Sequence, residues 1–146
     1  TPVPVSGTVT DTWRSVYEVD TTANDSDKTF TVPASTEAVL MSLRVDLTTT
    51  ATVGNRQITV LFTTGADVTI YALHAGITQA ASLQRYYNFA IGAPDFLAFR
   101  NTNSLMTPLP PIKLPAGYKV RVYDSAVVAA AADDMLVYLM WDRRSV

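Results

Sequence analysis

The stretch VLMSLRVDLT, Val39–Thr48, decides the fold class, because apolar and polar side chains alternate along it with a period of two. Successive side chains of a β-strand point to opposite faces of the sheet, so this alternation is typical of a strand with one buried face. The apolar positions predict that face. They are Val39, Met41, Leu43, Val45 and Leu47.

The same period recurs in most of the chain on both sides of this stretch. Further strands are predicted at 58–63, 68–72, 82–91, 118–123 and 135–141, separated by turn-forming residues. Residues 82–91 also fit the start of a helix, but their aromatic and β-branched content favours a strand. With two weaker strands nearer the N-terminus, about eight strands predict an antiparallel β-sandwich with less than about one-tenth helix. The expected core is Val39, Met41, Leu43, Val45, Leu47, Ile58, Val60, Phe62, Val120, Val122, Val137 and Leu139.

Residues 1–36 differ from the rest, since they are rich in Thr, Ser, Asp and Pro and alternate only weakly. They predict an extended N-terminal arm, with short strands around 13–19 and 29–32, followed by a β-sandwich domain at 37–146. A polar segment punctuated by proline cannot bury a core of its own. The arm is therefore expected to cross onto a neighbouring subunit or onto the capsid shell of a virus particle.

Composition excludes several classes of function. The 146 residues carry a net charge of -2 with only 11 Lys and Arg, which are scattered, so recognition of a nucleic-acid backbone is not expected. The chain has no cysteine, which rules out disulfides and thiolate metal sites. Its apolar runs are far shorter than the ~20 residues that a membrane helix needs, and no signal peptide opens the sequence. We expect one soluble domain made in a cytoplasm.

Few residues are candidates for chemistry. His74 is the single histidine, and no serine lies in a nucleophile-elbow pattern, so a structural imidazole in a hairpin is favoured over a catalytic base. Asp133 and Asp134 with Asp124 offer the oxygen ligands of a hard cation, but a turn or strand start is favoured. A carboxylate pair for glycoside hydrolysis stays open, because nothing selects a pair among 13 Asp and Glu. We predict no catalytic residue, metal ion or cofactor.

Apolar side chains also occupy strand positions that should face water. A monomer would leave several of them exposed, so they predict a self-association surface. Four prolines are expected between strands, where a missing N–H does not interrupt a hydrogen-bond ladder. They are Pro108, Pro110, Pro111 and Pro115. The candidate interface comprises Leu40, Leu61, Tyr71, Leu73, Pro108, Pro110, Pro111, Tyr123, Tyr138 and Met140.

Four stretches carry a family resemblance: TTTATVGNRQITV, AGITQAASLQRYYNFAIGAPD, LPAGYKVRVYDSA and AAADDM. In these stretches, and over Thr29 to Arg144 as a whole, the sequence resembles a family of small virion structural proteins of tailed bacteriophages. The resemblance implies a jelly-roll or related sandwich, often assembled as trimers that decorate or cement an icosahedral head. It also implies synthesis in the host bacterial cytoplasm and a place on the capsid surface.

The expected function is therefore non-enzymatic. The protein would bind itself, as a homo-oligomer and most plausibly a trimer, and the major capsid protein, which it would stabilise as a decoration or cement protein. Two alternatives remain open: a tail or head-fibre component, and a carbohydrate-binding module used in host recognition. A hydrolase is the least favoured class, because no catalytic motif is present.

Overall fold

A computed structural model describes residues 12–96, 103–126, 128 and 131–146, and the regular structure in these ranges is β-strand. The strands are β1 Arg14–Asp20, β2 Lys28–Thr31, β3 Thr36–Thr48, β4 Ile58–Thr63, β5 Thr69–His74, β6 Gln84–Ile91, β7 Ser104–Leu109, β8 Lys113–Leu114, β9 Lys119–Asp124 and β10 Asp134–Ser145. The prediction of an all-β protein is confirmed. Within the described ranges there is no helix with the length and hydropathy needed to cross a membrane.

The strands form two packed sheets. A six-stranded sheet has the order β1-β10-β3-β6-β7, with the short β8 also paired to β3, and a four-stranded sheet has the order β2-β9-β4-β5. The predicted β-sandwich is confirmed, but a purely antiparallel pattern is wrong at one place. β6 and β7 are parallel, because the connection between them returns the chain to the end where β6 begins.

The core lies between the two sheets and is filled by alternate residues of their strands. Its largest apolar members include Trp141, Phe62 and Phe89, each no more than 1% exposed. All of the predicted core residues belong to it except Val39 and Met41. These two side chains are only half-buried.

The exception is caused by a β-bulge in β3. Met140 of β10 pairs with Ser42, and the next residue Trp141 pairs with Leu40, so Met41 is an extra residue without a partner. An extra residue reverses the direction of every side chain on one side of the bulge. The alternation read from the sequence therefore holds after Met41 and is inverted before it.

The bulge also reverses the predicted orientation of the Leu40 side chain. It was predicted to face a partner, but it points into the core together with Ala38, and the two are 1% and 0% exposed. A side chain in this position offers no surface to another protein. The sequence pattern could not reveal the bulge, because Val39, Leu40 and Met41 are all apolar and either register buries a hydrophobic set.

The predicted N-terminal arm contributes two strands to the sandwich. β1 pairs with β10 in the six-stranded sheet, and β2 pairs with β9 in the four-stranded sheet. The expected short strands around 13–19 and 29–32 are thus present. Residues 1–11 lie outside the described part of the chain.

Of the four prolines expected between strands, Pro108 lies instead within β7. This position is compatible with β structure because β7 is at the edge of its sheet. A residue without an N–H is tolerated where that donor would face away from the ladder.

A buried ion pair joins the two sheets where β4 and β10 begin. The Arg56 guanidinium and the Asp133 carboxylate are 2.7 Å apart, and both side chains are 0% exposed. Asp133 also accepts bonds from the backbone N–H and the hydroxyl of Thr50, and Arg56 donates to the carbonyls of Thr52 and Gly54. Burial acts to raise the pKa of Asp133, but the bonds from Arg56 and Thr50 outweigh it and lower the pKa. Both groups are therefore charged and hydrogen-bonded.

Replacing Asp133 by Asn should destabilise the fold strongly. The substitution leaves the buried Arg56 charge without its counterion, which costs about 3–5 kcal/mol of unfolding free energy. Urea denaturation followed by circular dichroism measures this loss.

The matched control is Asp67→Asn, which breaks the surface pair between Asp67 and Lys119, whose charged atoms are 2.9 Å apart. Solvent screens such a pair, so its urea midpoint should hardly change. Equal shifts in the two variants would contradict the role assigned to Asp133.

Candidate interaction surfaces

The outward surface of the six-stranded sheet, called here the outer face, carries aromatic and apolar side chains. The strand register places Tyr17, Met140, Ser42 and Ala90 in one row across four strands, and Val19, Tyr138, Arg44 and Asn88 in the next. Tyr17 is 75% exposed, Val19 59% and Tyr138 37%. The outer face therefore exposes aromatic and apolar side chains to solvent in two neighbouring rows.

Arg44 lies at the centre of the outer face. Its guanidinium donates two hydrogen bonds to the Asp46 carboxylate, at 2.6 and 2.8 Å. It also lies 5.0 Å from the ring centroid of Tyr86 and 5.6 Å from that of Tyr138, which are cation–π distances. Because Asp46 already neutralises the charge, covering Arg44 with a partner costs less desolvation than covering an unpaired arginine.

The outer face contains a shallow groove of about 420 Å³. Ser42 and Ala90 are small side chains directly opposite one another on β3 and β6, and they form its floor. Tyr17, Tyr138 and Met140 are among the residues that line it.

Sequence reasoning found this surface only in part. Tyr138 and Met140 face outward as predicted, whereas Tyr17, Val19 and Arg44 were not among the candidates. Tyr17 and Val19 are alternate residues of β1 and therefore point to the same face, a pattern that the sequence does show. Arg44 could not be found, because its significance lies in the tyrosines that neighbouring strands bring to it.

A second surface is a cleft between the edge strands β5 and β7, called here the edge cleft. Its volume is about 470 Å³. Four of the predicted interface residues come together in its lining: Tyr71, Leu73, Pro108 and Pro110. The sandwich is therefore open along this side, and apolar side chains line the opening.

The side chains of Tyr71 and Leu73, which line the edge cleft, were predicted to point outward from the sandwich, and that orientation is wrong. Tyr71 pairs with Phe62 and Leu73 with Val60, and both partners are core residues. Paired residues share a face, so Tyr71 and Leu73 point inward and not outward. The register of the β4–β5 hairpin decides this, and a one-residue difference in register exchanges the two faces.

The remaining interface candidates are dispersed. Leu61 lies on the outward side of the four-stranded sheet, where it is 9% exposed, and Tyr123 is half-buried on the same side. Pro111 is exposed beyond the end of β7. These three do not extend either surface described above.

His74 lies at the rim of the edge cleft and makes a hydrogen bond across the hairpin. Its Nδ1 atom is 2.8 Å from the Thr59 hydroxyl oxygen. This contact joins β5 to β4, and it gives the imidazole a structural partner.

Two of the three acidic candidates have structural partners too. One Asp124 oxygen accepts the N–H groups of Gln57 and Ala126, each at 2.9 Å, while Asp133 binds Arg56 and Asp134 is exposed. In the part of the chain that the structure describes, no group of three or more His, Asp or Glu side chains is arranged to hold a metal ion. Asp124 and Asp133 therefore act in turns and in the core.

Asp25 is a buried carboxyl that the sequence did not single out. It is 4% exposed, and neither of its oxygens has a hydrogen-bond partner among the described residues. Burial raises its pKa to about 6, and repulsion from Asp133 and Asp124 adds to the rise, while Arg56 opposes it. Its ionisation in the folded protein is therefore unfavourable.

Comparisons with known proteins give no family. No family model and no curated protein sequence matches the chain. Among solved structures, a protein of the disulfide-linked pili of Bacillus endospore appendages is 11% identical, with 100% of this chain and 97% of that chain covered and a TM-score of 0.39. The VP2 subviral particle of infectious bursal disease virus is 8% identical, with 100% and 37% covered and a TM-score of 0.37. Likenesses this distant support no inference about this chain.

Stability should depend on pH through Asp25. The pKa is about 6 in the folded protein and about 4 in an unfolded chain, so the folded state binds the proton more tightly. The favourable contribution of the protonated group is complete below pH about 4 and is lost as the pH rises to about 6, a loss on the order of 2–3 kcal/mol.

Asp25→Asn removes this ionisation. We expect the variant to melt at a higher temperature than the parent protein at pH 7.5 and not at pH 3.5, as measured by thermal denaturation at both pH values. A gain of equal size at the two pH values would show that charge is not the cause.

Proposed function

We propose that this protein is a structural component of a tailed-bacteriophage virion that binds the outside of the head as a homo-oligomer, most plausibly a trimer, and stabilises the shell without catalysis or a cofactor. The outer face contacts the major capsid protein. The single observation that carries this proposal is the row of exposed tyrosine and apolar side chains around the neutralised Arg44.

The chemistry of the outer face supports contact with another protein. Tyrosine and arginine are the residues that most often dominate protein–protein binding, because they add large contact areas with few rotatable bonds or with several donors. Here they are held on adjacent strands of a sheet, so little side-chain freedom is lost on docking. The resemblance to phage virion proteins supports a capsid shell as the partner.

A protein of this kind stabilises a shell by mass action. It binds assembled subunits more tightly than separated ones, so each bound copy shifts the equilibrium towards the shell, and many copies add. No reactive group is required for this effect. The rigid sandwich and its contact area are sufficient.

A second function, recognition of host glycans, is favoured by one feature of the same face. Tyr17 and Tyr138 stand beside the polar groups of Ser42 and Asn88 in the groove. Sugar-binding sites combine aromatic rings with a few such polar groups. The two functions differ in whether loss of the protein weakens the head or prevents adsorption to the cell.

Tyr17→Ser and Tyr138→Ser should each weaken binding to heads stripped of the protein. Truncating an aromatic anchor in an interface costs about 1–3 kcal/mol, which corresponds to a dissociation constant larger by roughly fivefold to 150-fold. Co-sedimentation with stripped heads measures it. The matched control is Tyr123→Ser on the other sheet, which should bind like the parent protein.

Heads that carry the parent protein should release their genomes at a higher temperature than stripped heads, and adding back Tyr17→Ser should restore less of this stability. If stripped heads were equally stable and adsorption to the host failed, the stabilising role would be refuted and host recognition would replace it. If Tyr123→Ser alone reduced binding, the outer face would not be the docking surface.

A further inference from the structure

β1 ends the six-stranded sheet, and no strand of the described chain pairs with its second edge. Its other edge is paired with β10 along its whole length. Backbone N–H and C=O groups alternate between the two edges of a strand, so every second residue of β1 points these groups to the open edge. An added strand would find donors and acceptors there.

The outer-face side chains of β1 beside this open edge are apolar and exposed. Tyr17 is 75% exposed and Val19 59%, whereas Tyr138 on the neighbouring strand β10 is 37% exposed. The exposed fraction therefore increases towards the open edge of the sheet. A strand added at this edge would satisfy backbone groups of β1 and remove apolar area from water in a single contact.

The sequence of β1, RSVYEVD, is complementary to itself when it is read in the opposite direction. If two copies of β1 run antiparallel with Tyr17 opposite Tyr17, the whole of Arg14–Asp20 is paired. Arg14 of each copy then lies opposite Asp20 of the other, so opposite charges meet at both ends of the contact, which favours the pairing. The remaining opposed pairs are Ser15 with Val19 and Val16 with Glu18.

The neighbouring registers are less favourable. Moving the centre of the contact from Tyr17 to Glu18 places two Glu18 side chains directly opposite one another, and like charges in that position destabilise a strand pair. Moving the centre to Val16 shortens the paired stretch to residues 14–18 and leaves the apolar side chain of Val19 outside it. The register centred on Tyr17 is therefore the one that the sequence of β1 selects.

We propose that two copies of this protein join through β1, antiparallel about a two-fold axis at Tyr17, so that their six-stranded sheets become one continuous sheet. An axis perpendicular to the sheet makes the two strands antiparallel and keeps both outer faces on the same side. The same surface is used by both copies, as in most homodimers. This inference goes beyond the proposed function, because a two-fold contact is separate from the contacts of a trimer and would link one trimer to the next.

The charged and apolar residues of β1 have different roles in this contact. The Asp20 carboxylate lies 3.7 Å from the Lys28 amino group of its own chain, and the Asp20 side chain is 35% exposed. Solvent therefore screens its pair with Arg14, which adds little to affinity but determines the register. The affinity comes from the backbone hydrogen bonds and from the apolar area of Tyr17 and Val19.

Disulfide trapping tests the proposal in a chain that has no cysteine of its own. In Tyr17→Cys the two cysteines lie opposite one another across the axis. In Val19→Cys they are about 13 Å apart along the strands, which is too far for a disulfide. A mixture of Ser15→Cys and Val19→Cys again brings two cysteines opposite one another. Each purified sample is oxidised, and covalent dimers are measured by non-reducing electrophoresis and mass spectrometry.

We expect the Tyr17→Cys dimer and the 15–19 disulfide of the mixture in at least about tenfold excess over the dimer of Val19→Cys alone, because only opposed residues hold their Cα atoms within about 6 Å. Tyr71→Cys, at an exposed tyrosine of β5, measures random collision. A yield from Val19→Cys or Tyr71→Cys equal to that of Tyr17→Cys overturns the proposal. The absence of a Tyr17→Cys dimer overturns it too.

A charge placed on the axis provides a second test that needs no covalent bond. Tyr17→Lys sets two like charges opposite one another and removes the aromatic pair, so it should weaken self-association by about tenfold or more in sedimentation equilibrium. The effect should be larger at low salt, where charges are less screened. The matched control Tyr71→Lys should associate like the parent protein, and equal effects of the two variants would refute the contact.

The outcome is independent of the role on the particle, because both tests use purified protein. Copies that are joined through β1 but fail to bind stripped heads would refute the proposed function and leave the two-fold contact intact. Parent protein that binds stripped heads but gives no Tyr17→Cys dimer would refute the two-fold contact and leave the proposed function intact.

Discussion

The buried pair of Arg56 and Asp133 is the interaction on which the two surfaces depend. It fixes the start of β4 in one sheet against the start of β10 in the other. Tyr138 and Met140 of the outer face lie on β10. The hairpin that joins β4 to β5 places β5 beside the edge cleft. A charged pair inside the sandwich tolerates no slip of one sheet along the other, because a displaced arginine would lose its counterion in an apolar interior.

Much of the architecture could be predicted from the period-two pattern, since burying one face of a strand requires it. The errors arose where two registers bury equally apolar side chains. Val39, Leu40 and Met41 allow a bulge without any polar residue to signal it, and the β4–β5 hairpin could present either face of β5 inward. The parallel pairing of β6 with β7 depends on how the connection between them runs, which the pattern within each strand does not encode.

The candidate surfaces were harder to predict than the fold, because each is assembled from distant segments. The edge cleft joins Tyr71 and Leu73 to Pro108 and Pro110 only because β5 and β7 end their sheets on the same side. On the outer face, the importance of Arg44 comes from rings on two other strands. A single sequence contains these residues but not their grouping.

In the proposed particle, the outer face meets the shell. A cryo-electron microscopy map of particles that carry this protein tests that account most directly. It should show the sandwich on the outside of the head, with Tyr17 and Tyr138 against the capsid. Density for the protein in the tail or fibres, or on the head with Tyr17 and Tyr138 facing solvent, would contradict it.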